Sequence, residues 1–209
     1  MAVLVWEDVT WPDFVAGLEG FRDHFTGAAR APDAFPETAA DIIRLLNRWA
    51  CRLSTERAPG ALETWLEDNA AVLEKLAPLT ISHPRLPAQA EELGALHDGL
   101  IAHMRAHGVA SMGDAAASKA LYVLRPRLFV MWDKEIRRSA PDGYGAYLLQ
   151  MHALALRLTD QAPAEDVEAH LQELLGYDTR KTLAKYLDEY NWFEAVGREQ
   201  LTRRVGSSR

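Results

Sequence analysis

Residues 36–53 read Pro36-Glu37-Thr38-Ala39-Ala40-Asp41-Ile42-Ile43-Arg44-Leu45-Leu46-Asn47-Arg48-Trp49-Ala50-Cys51-Arg52-Leu53. Pro36-Glu37-Thr38 is a helix start. Ile42, Leu45, Leu46, Trp49 and Leu53 then recur at helical spacing, which lines them along one face. The same pattern repeats in both directions from this stretch. Upstream, Thr10-Trp11-Pro12-Asp13 is a second start, followed by Phe14, Leu18, Phe21 and Phe25 on one face. Downstream, a helix after Pro59-Gly60 stacks Leu62, Trp65, Leu66, Val72, Leu73 and Leu76, and it stops near Pro78.

Pro84 and Pro87 make residues 79–87 the longest break. A helix from about 88 to 107 turns Leu93, Leu96, Leu100 and Met104 inward, and Gly108 follows as its terminator. Further helices are expected at 114–124, from Asp133, and at about 144–159, 163–175 and 179–195, with a turn at Ala140-Pro141-Asp142-Gly143. Val3-Leu4-Val5 and Thr80-Ile81 are too short for a substantial sheet, and Gly206–Arg209 reads as a frayed tail. The expectation is an all-α, compact multi-helix globular protein of roughly nine helices. It forms one domain over 1–209, or two helical lobes divided near 79–87.

Composition narrows the class. The 209 residues are 48% apolar and 25% charged, with a net charge of −7 and one cysteine. A disulfide scaffold, a collagen-like chain and a largely disordered chain are excluded. The first residues lack the charged start and long apolar stretch of a signal peptide, and no window approaches a membrane span. Lone Cys51 cannot form an internal disulfide, so a reducing cytoplasm is expected. Arginine outnumbers lysine, 18 to 5, which suggests a GC-rich bacterial source.

Familiar chemical signatures are missing. There is no phosphate-loop or dinucleotide glycine pattern, no H-E-x-x-H, no G-x-S-x-G and no EF-hand loop. His103 and His107 share a helix face, but two ligands do not make a metal site. Their expected place is a solvated last turn, interacting with the helix dipole. No metal and no cofactor are expected. Of the six tryptophans, Trp49 and Trp65 lie on apolar faces and are expected in the core. Trp132, surrounded by Asp133, Lys134 and Arg137, is a candidate base contact.

Residues 1–110 carry 9 basic and 16 acidic residues, whereas 111–209 carry 14 of each. Between Ser118 and Arg138, six bases (Lys119, Arg125, Arg127, Lys134, Arg137 and Arg138) face only Asp133 and Glu135. Such a stretch is either a solvated face or a local anion site on an acidic body. Lys119 flanks the apolar arc of Ala116, Ala117, Ala120, Leu121 and Leu124. A lysine there reaches water along its stem or, if covered, serves as a nucleophile. Asp133 follows the apolar run Leu128–Trp132 and opens a helix, as an N-cap or as a partly desolvated acid.

This order, from Gly113 through Lys119 and Leu128–Trp132 to Asp133 and the bases after it, resembles the core of the helix-hairpin-helix base-excision DNA glycosylases. The resemblance covers about 30 residues of the chain. It implies Lys119 as nucleophile, Asp133 as catalytic carboxylate, Arg125, Arg127, Arg137 and Arg138 on phosphates, and Trp132 on a base. Only Gly113 of the hairpin's paired glycines is present, and the interval from Lys119 to Asp133 is short for that family. The same segment, with Lys185–Trp192, also resembles an uncharacterised bacterial all-helical family. Two functions follow. One is a nucleic-acid-related protein with a degenerate glycosylase-like core. The other is a non-enzymatic helical interaction module in which Lys119 and Asp133 are structural.

Overall fold

The computed structural model describes residues 6–24, 36–137, 142–177 and 181–197. Val3–Val5, Phe25, Arg138, Ala140, Pro141 and the 206–209 tail lie outside the described residues. The chain is all-α, with no strand among the described residues. The helices are α1 (Trp11–His24), α2 (Ala39–Arg48), α3 (Ala58–Asp68), α4 (Ala70–Lys75), α5 (Ala90–Ala106), α6 (Asp114–Leu124), α7 (Lys134–Arg137), α8 (Tyr144–Gln161), α9 (Val167–Leu175) and α10 (Leu183–Trp192). A 3-10 turn at Pro87–Gln89 leads into α5, and a π turn at Phe193–Gly197 extends α10.

Local chemistry sets the boundaries. Thr38, Asp166 and Thr182 each accept a hydrogen bond from a first-turn amide of the helix they cap. The cap at Asp166 starts α9 at Val167, later than the apolar pattern suggests. The single helix expected between Pro59 and Pro78 is two. Asn69 leaves helical geometry, and its Nδ2 donates to the Trp65 carbonyl at 2.8 Å, ending α3 one residue before α4 begins.

Helices α5 and α8 form the most extensive helix pair. They approach through glycine: a Cβ on Gly145 would lie 2.6 Å from the Ala90 carbonyl oxygen. Helix α1 crosses α10 the same way, with Gly17 under the Tyr190 ring and Gly20 under Phe193. The 79–87 segment is bonded to the second half of the chain and packs into the core. Ile81 donates its amide to Arg127 O at 2.8 Å and accepts from His152 Nδ1 at 2.7 Å, while Leu79, Ile81 and Leu86 are buried in the common core.

Between α6 and α7 the chain runs through the core without helix. Leu128, Phe129, Val130, Met131 and Trp132 are all at most 5% exposed. Their backbone polar groups have no sheet to join, so partners come from elsewhere. Arg125 O accepts from the amides of Leu128 and Phe129. Tyr144 Oη donates to Val130 O at 2.8 Å, Tyr147 Oη donates to Met131 O at 3.1 Å, and the Trp132 amide donates to Ser118 Oγ at 3.0 Å. Asn191 extends the network by donating to Tyr147 Oη and accepting from Trp6 Nε1 at 2.8 Å.

The α5–α8 contact yields a paired test. Gly145→Ala forces a methyl onto a backbone oxygen and is expected to cost at least about 2 kcal/mol. Gly99→Ala, where an added Cβ meets nothing within 4 Å, is expected to raise stability by up to about 1 kcal/mol through helix propensity. Urea unfolding of the two variants measures both, and equal effects would refute the glycine-mediated approach.

Candidate functional site

Among the clefts on the described surface, two differ in charge. One, of about 370 Å³, lies between Thr80–Ser82 and the start of α9. Arg127 faces Glu165, Asp166 and Glu168 there, a formal −2. The other, of about 340 Å³, lies between the turn after α2, the start of α6, and α7. Lys119, Lys134 and Arg137 line it against Asp114 alone, a formal +2.

The cationic cleft is built from three local structures. Helix α6 buries Ala116, Ala117, Ala120 and Leu121, which leaves Lys119 on the flank of that arc. Its Nζ reaches the Trp49 carbonyl at 3.5 Å. Arg137 of α7 ion-pairs with Asp114, the first residue of α6. Among the described residues, no carboxylate lies within 4 Å of the Lys119 or Lys134 amine. The third wall is the turn Trp49–Leu53. Ala50 (φ 61°) and Arg52 (φ 55°) are left-handed there, a conformation costly for residues with a Cβ. Asn47 holds the turn by accepting from Leu53 N at 2.6 Å and donating to Leu53 O at 2.9 Å. Cys51, beside them, has its thiol pushed up by burial, an effect the Lys119 charge opposes.

Asp133 is a helix cap. Its Oδ1 accepts from the amides of Glu135 (3.0 Å) and Ile136 (3.2 Å) in α7. Burial raises its pKa above the ordinary carboxylate value, the two amide bonds and Lys119 pull it down, and Asp188 adds to the rise. Asp133 thus lies within electrostatic reach of Lys119 but is absent from the cleft lining.

The remaining expected site residues disperse. Trp132 is 4% exposed, packed against His97, Tyr144 and Tyr147, and cannot stack on a base in this arrangement. Arg125 commits its guanidinium to the carbonyls of Leu73 and Leu124 at 2.6–2.9 Å, so it is an anchor and not a free phosphate contact. Arg127 faces the acidic cleft, 3.7 Å from Glu168. Arg138 lies outside the described residues. Lys119, Lys134 and Arg137 are the part of the basic run that meets at one place, and Trp49, expected in the core, stands half-buried on the cleft wall.

Away from the cleft, α10 carries a buried ionic cluster. Lys181 Nζ lies 2.8 Å from Glu189 Oε1, and Lys185 Nζ lies 2.6 Å from Asp188 Oδ2 and 3.5 Å from Glu189 Oε1. Burial opposes the Lys185 charge, but Asp188 and Glu189 outweigh it and raise the pKa. Burial lowers that of Lys181, against the pull of Glu189. Two cations balance two anions, as in a cluster that docks a helix. Its sequence signal is the spacing of Lys185, Asp188 and Glu189 at i, i+3 and i+4.

His103 bonds the Ala61 carbonyl at 3.0 Å and stacks on His107. Among the described residues, no group of three or more His, Cys, Asp or Glu side chains is placed to hold a metal ion. No described helix is long and apolar enough to cross a membrane. Compared with family models, with curated proteins and with solved structures, the chain gives no match.

The Asp133 environment predicts a pH signature. A carboxyl whose folded-state pKa is raised holds its proton more tightly than in the unfolded chain, so its contribution to stability falls as pH rises through that window. Asparagine caps a helix as well as aspartate does. Asp133→Asn is therefore expected to gain stability relative to the parent at pH 7 and to lose that advantage in acid, below the unfolded carboxylate range. Asp133→Ala should cost about 1 kcal/mol through the lost cap. Urea titrations at the two pH values check this, and a destabilised Asp133→Asn at pH 7 would contradict it.

Proposed function

We propose that this chain binds nucleic acid through the cationic cleft, on a degenerate helix-hairpin-helix glycosylase-like core. The observation that carries this is the convergence of Lys119, Lys134 and Arg137 on one recess, with no carboxylate among the described residues within 4 Å of either lysine amine. Affinity for nucleic acid comes largely from such contacts to phosphate. Lys119, at the nucleophile position of the resemblance, here acts as a phosphate contact. Asp133, whose carboxylate is turned to the α7 amides, is not paired with it across the recess. In this reading the protein is bacterial and works in the cytoplasm, in keeping with its single cysteine and arginine-rich composition.

A short labelled single-stranded DNA, followed by fluorescence anisotropy between about 50 and 200 mM salt, tests the proposal. Binding should weaken steeply with salt. Lys119→Gln with Lys134→Gln should flatten the logarithmic salt slope by about 1.4, or about 0.7 for each lost phosphate contact on a single strand. The second function, a helical interaction module, is favoured by the capping role of Asp133 and by the Lys119 contact to the Trp49 carbonyl. Absence of DNA binding at the lowest salt would overturn the first function and leave the second.

A further inference from the structure

We infer that the cleft accepts a single nucleotide unit, with its phosphate on Lys119 and Lys134 and its base stacked on Trp49; this rests on the nucleic-acid function proposed above. Four observations converge on it. The first is size. A volume of about 340 Å³ is near the lower end for small-molecule sites, enough for one nucleotide and too little for the width of a duplex.

The second is the pairing of chemistries. Nucleotide recognition requires positive charge for the phosphate and an aromatic plane for the base. Lys119 and Lys134 supply the charge, and Trp49 is the aromatic residue in the same lining. Trp49 is half-buried, with Tyr122 behind it at a ring-centroid separation of 6.4 Å. A supported aromatic with remaining exposure is the arrangement that stacking needs, and Trp132, sealed in the core, lacks that exposure.

The third is the nearness of these groups. Lys119 Nζ lies 3.5 Å from the backbone carbonyl of Trp49 itself, which sets the amine beside the residue that carries the indole. The fourth is the backbone of the wall. Two residues with side chains, Ala50 and Arg52, are kept in left-handed geometry immediately after Trp49, and the Asn47 clamp to Leu53 keeps them there. Strain that the surroundings over-determine concentrates where a site has to be held in shape. Arg48 and Arg52, both exposed, flank the tryptophan in sequence. The acidic cleft has neither the net charge nor an aromatic residue for such a ligand.

The test uses the full chain and a labelled single-stranded oligonucleotide. Trp49→Ala should weaken binding by about 5- to 150-fold, the range for loss of one base–aromatic stack. The salt slope should stay unchanged, because no charge is removed. Trp49→Phe, which keeps a ring, should retain most of the affinity, and adenosine monophosphate should quench tryptophan fluorescence in the parent but not in Trp49→Phe. Should the alanine variant lose its helical circular dichroism, Trp49→Leu replaces it, with the same expected loss of affinity. Parent-like binding by Trp49→Ala or Trp49→Leu, alongside a flattened slope in the lysine double variant, would overturn the stacking inference and leave nucleic-acid binding standing. No binding of any oligonucleotide by the parent would overturn both.

Discussion

Five consecutive core residues, Leu128 to Trp132, cross the interior without belonging to a helix or a sheet. A buried backbone amide or carbonyl left without a partner costs about 1–3 kcal/mol. Much of the fold is arranged to supply those partners. Tyr144 and Tyr147 of α8 serve two carbonyls, Ser118 of α6 serves an amide, and Asn191 of α10 secures Tyr147. The bond between Ser118 and Trp132 also bears on the cleft. Lys119 is the residue after Ser118, and Lys134 is the second residue after Trp132. That hydrogen bond ties the backbone beside Lys119 in α6 to the segment that leads into Lys134.

Electrostatics is decided locally. A net charge of −7 argues against an extended basic binding face, and none is described. Half of the six bases between residues 118 and 138 are neutralised or anchored: Arg125 by carbonyls, Arg127 by Glu168, Arg137 by Asp114. What survives is a small recess of positive charge on an acidic body. Such a recess selects a compact anion, and the surrounding negative potential disfavours long polyanion contacts elsewhere.

The helices were legible because their signals are local. Asp114 to Leu124, capped after Gly113 and stopped before Pro126, has in the structure the bounds that its sequence suggests. The break at Asn69 was hidden because the apolar stripe continues across it, and only the amide's bond to Trp65 O ends the helix. Asp133 was legible as a cap because a carboxylate after an apolar run and before a helix has amides to satisfy. The two tryptophans exchanged places for tertiary reasons. Trp49 sits on an apolar helical face in sequence, but α2 ends at Arg48 and Trp49, as its C-cap, packs only partly against the core at the cleft wall. Trp132 sits among charges in sequence, yet the non-helical segment before it turns inward. The ionic cluster on α10 was foreshadowed by spacing, but its burial depends on how α10 docks.

The central claim is that anions bind where α2, α6 and α7 meet. The most direct measurement is backbone amide chemical-shift mapping during titration with inorganic phosphate and then with a short single strand. Shifts confined to residues 49–51, 113–119 and 134–137 are the predicted result. Shifts centred on residues 80–82 and 165–168, or none at any concentration of either probe, would contradict it.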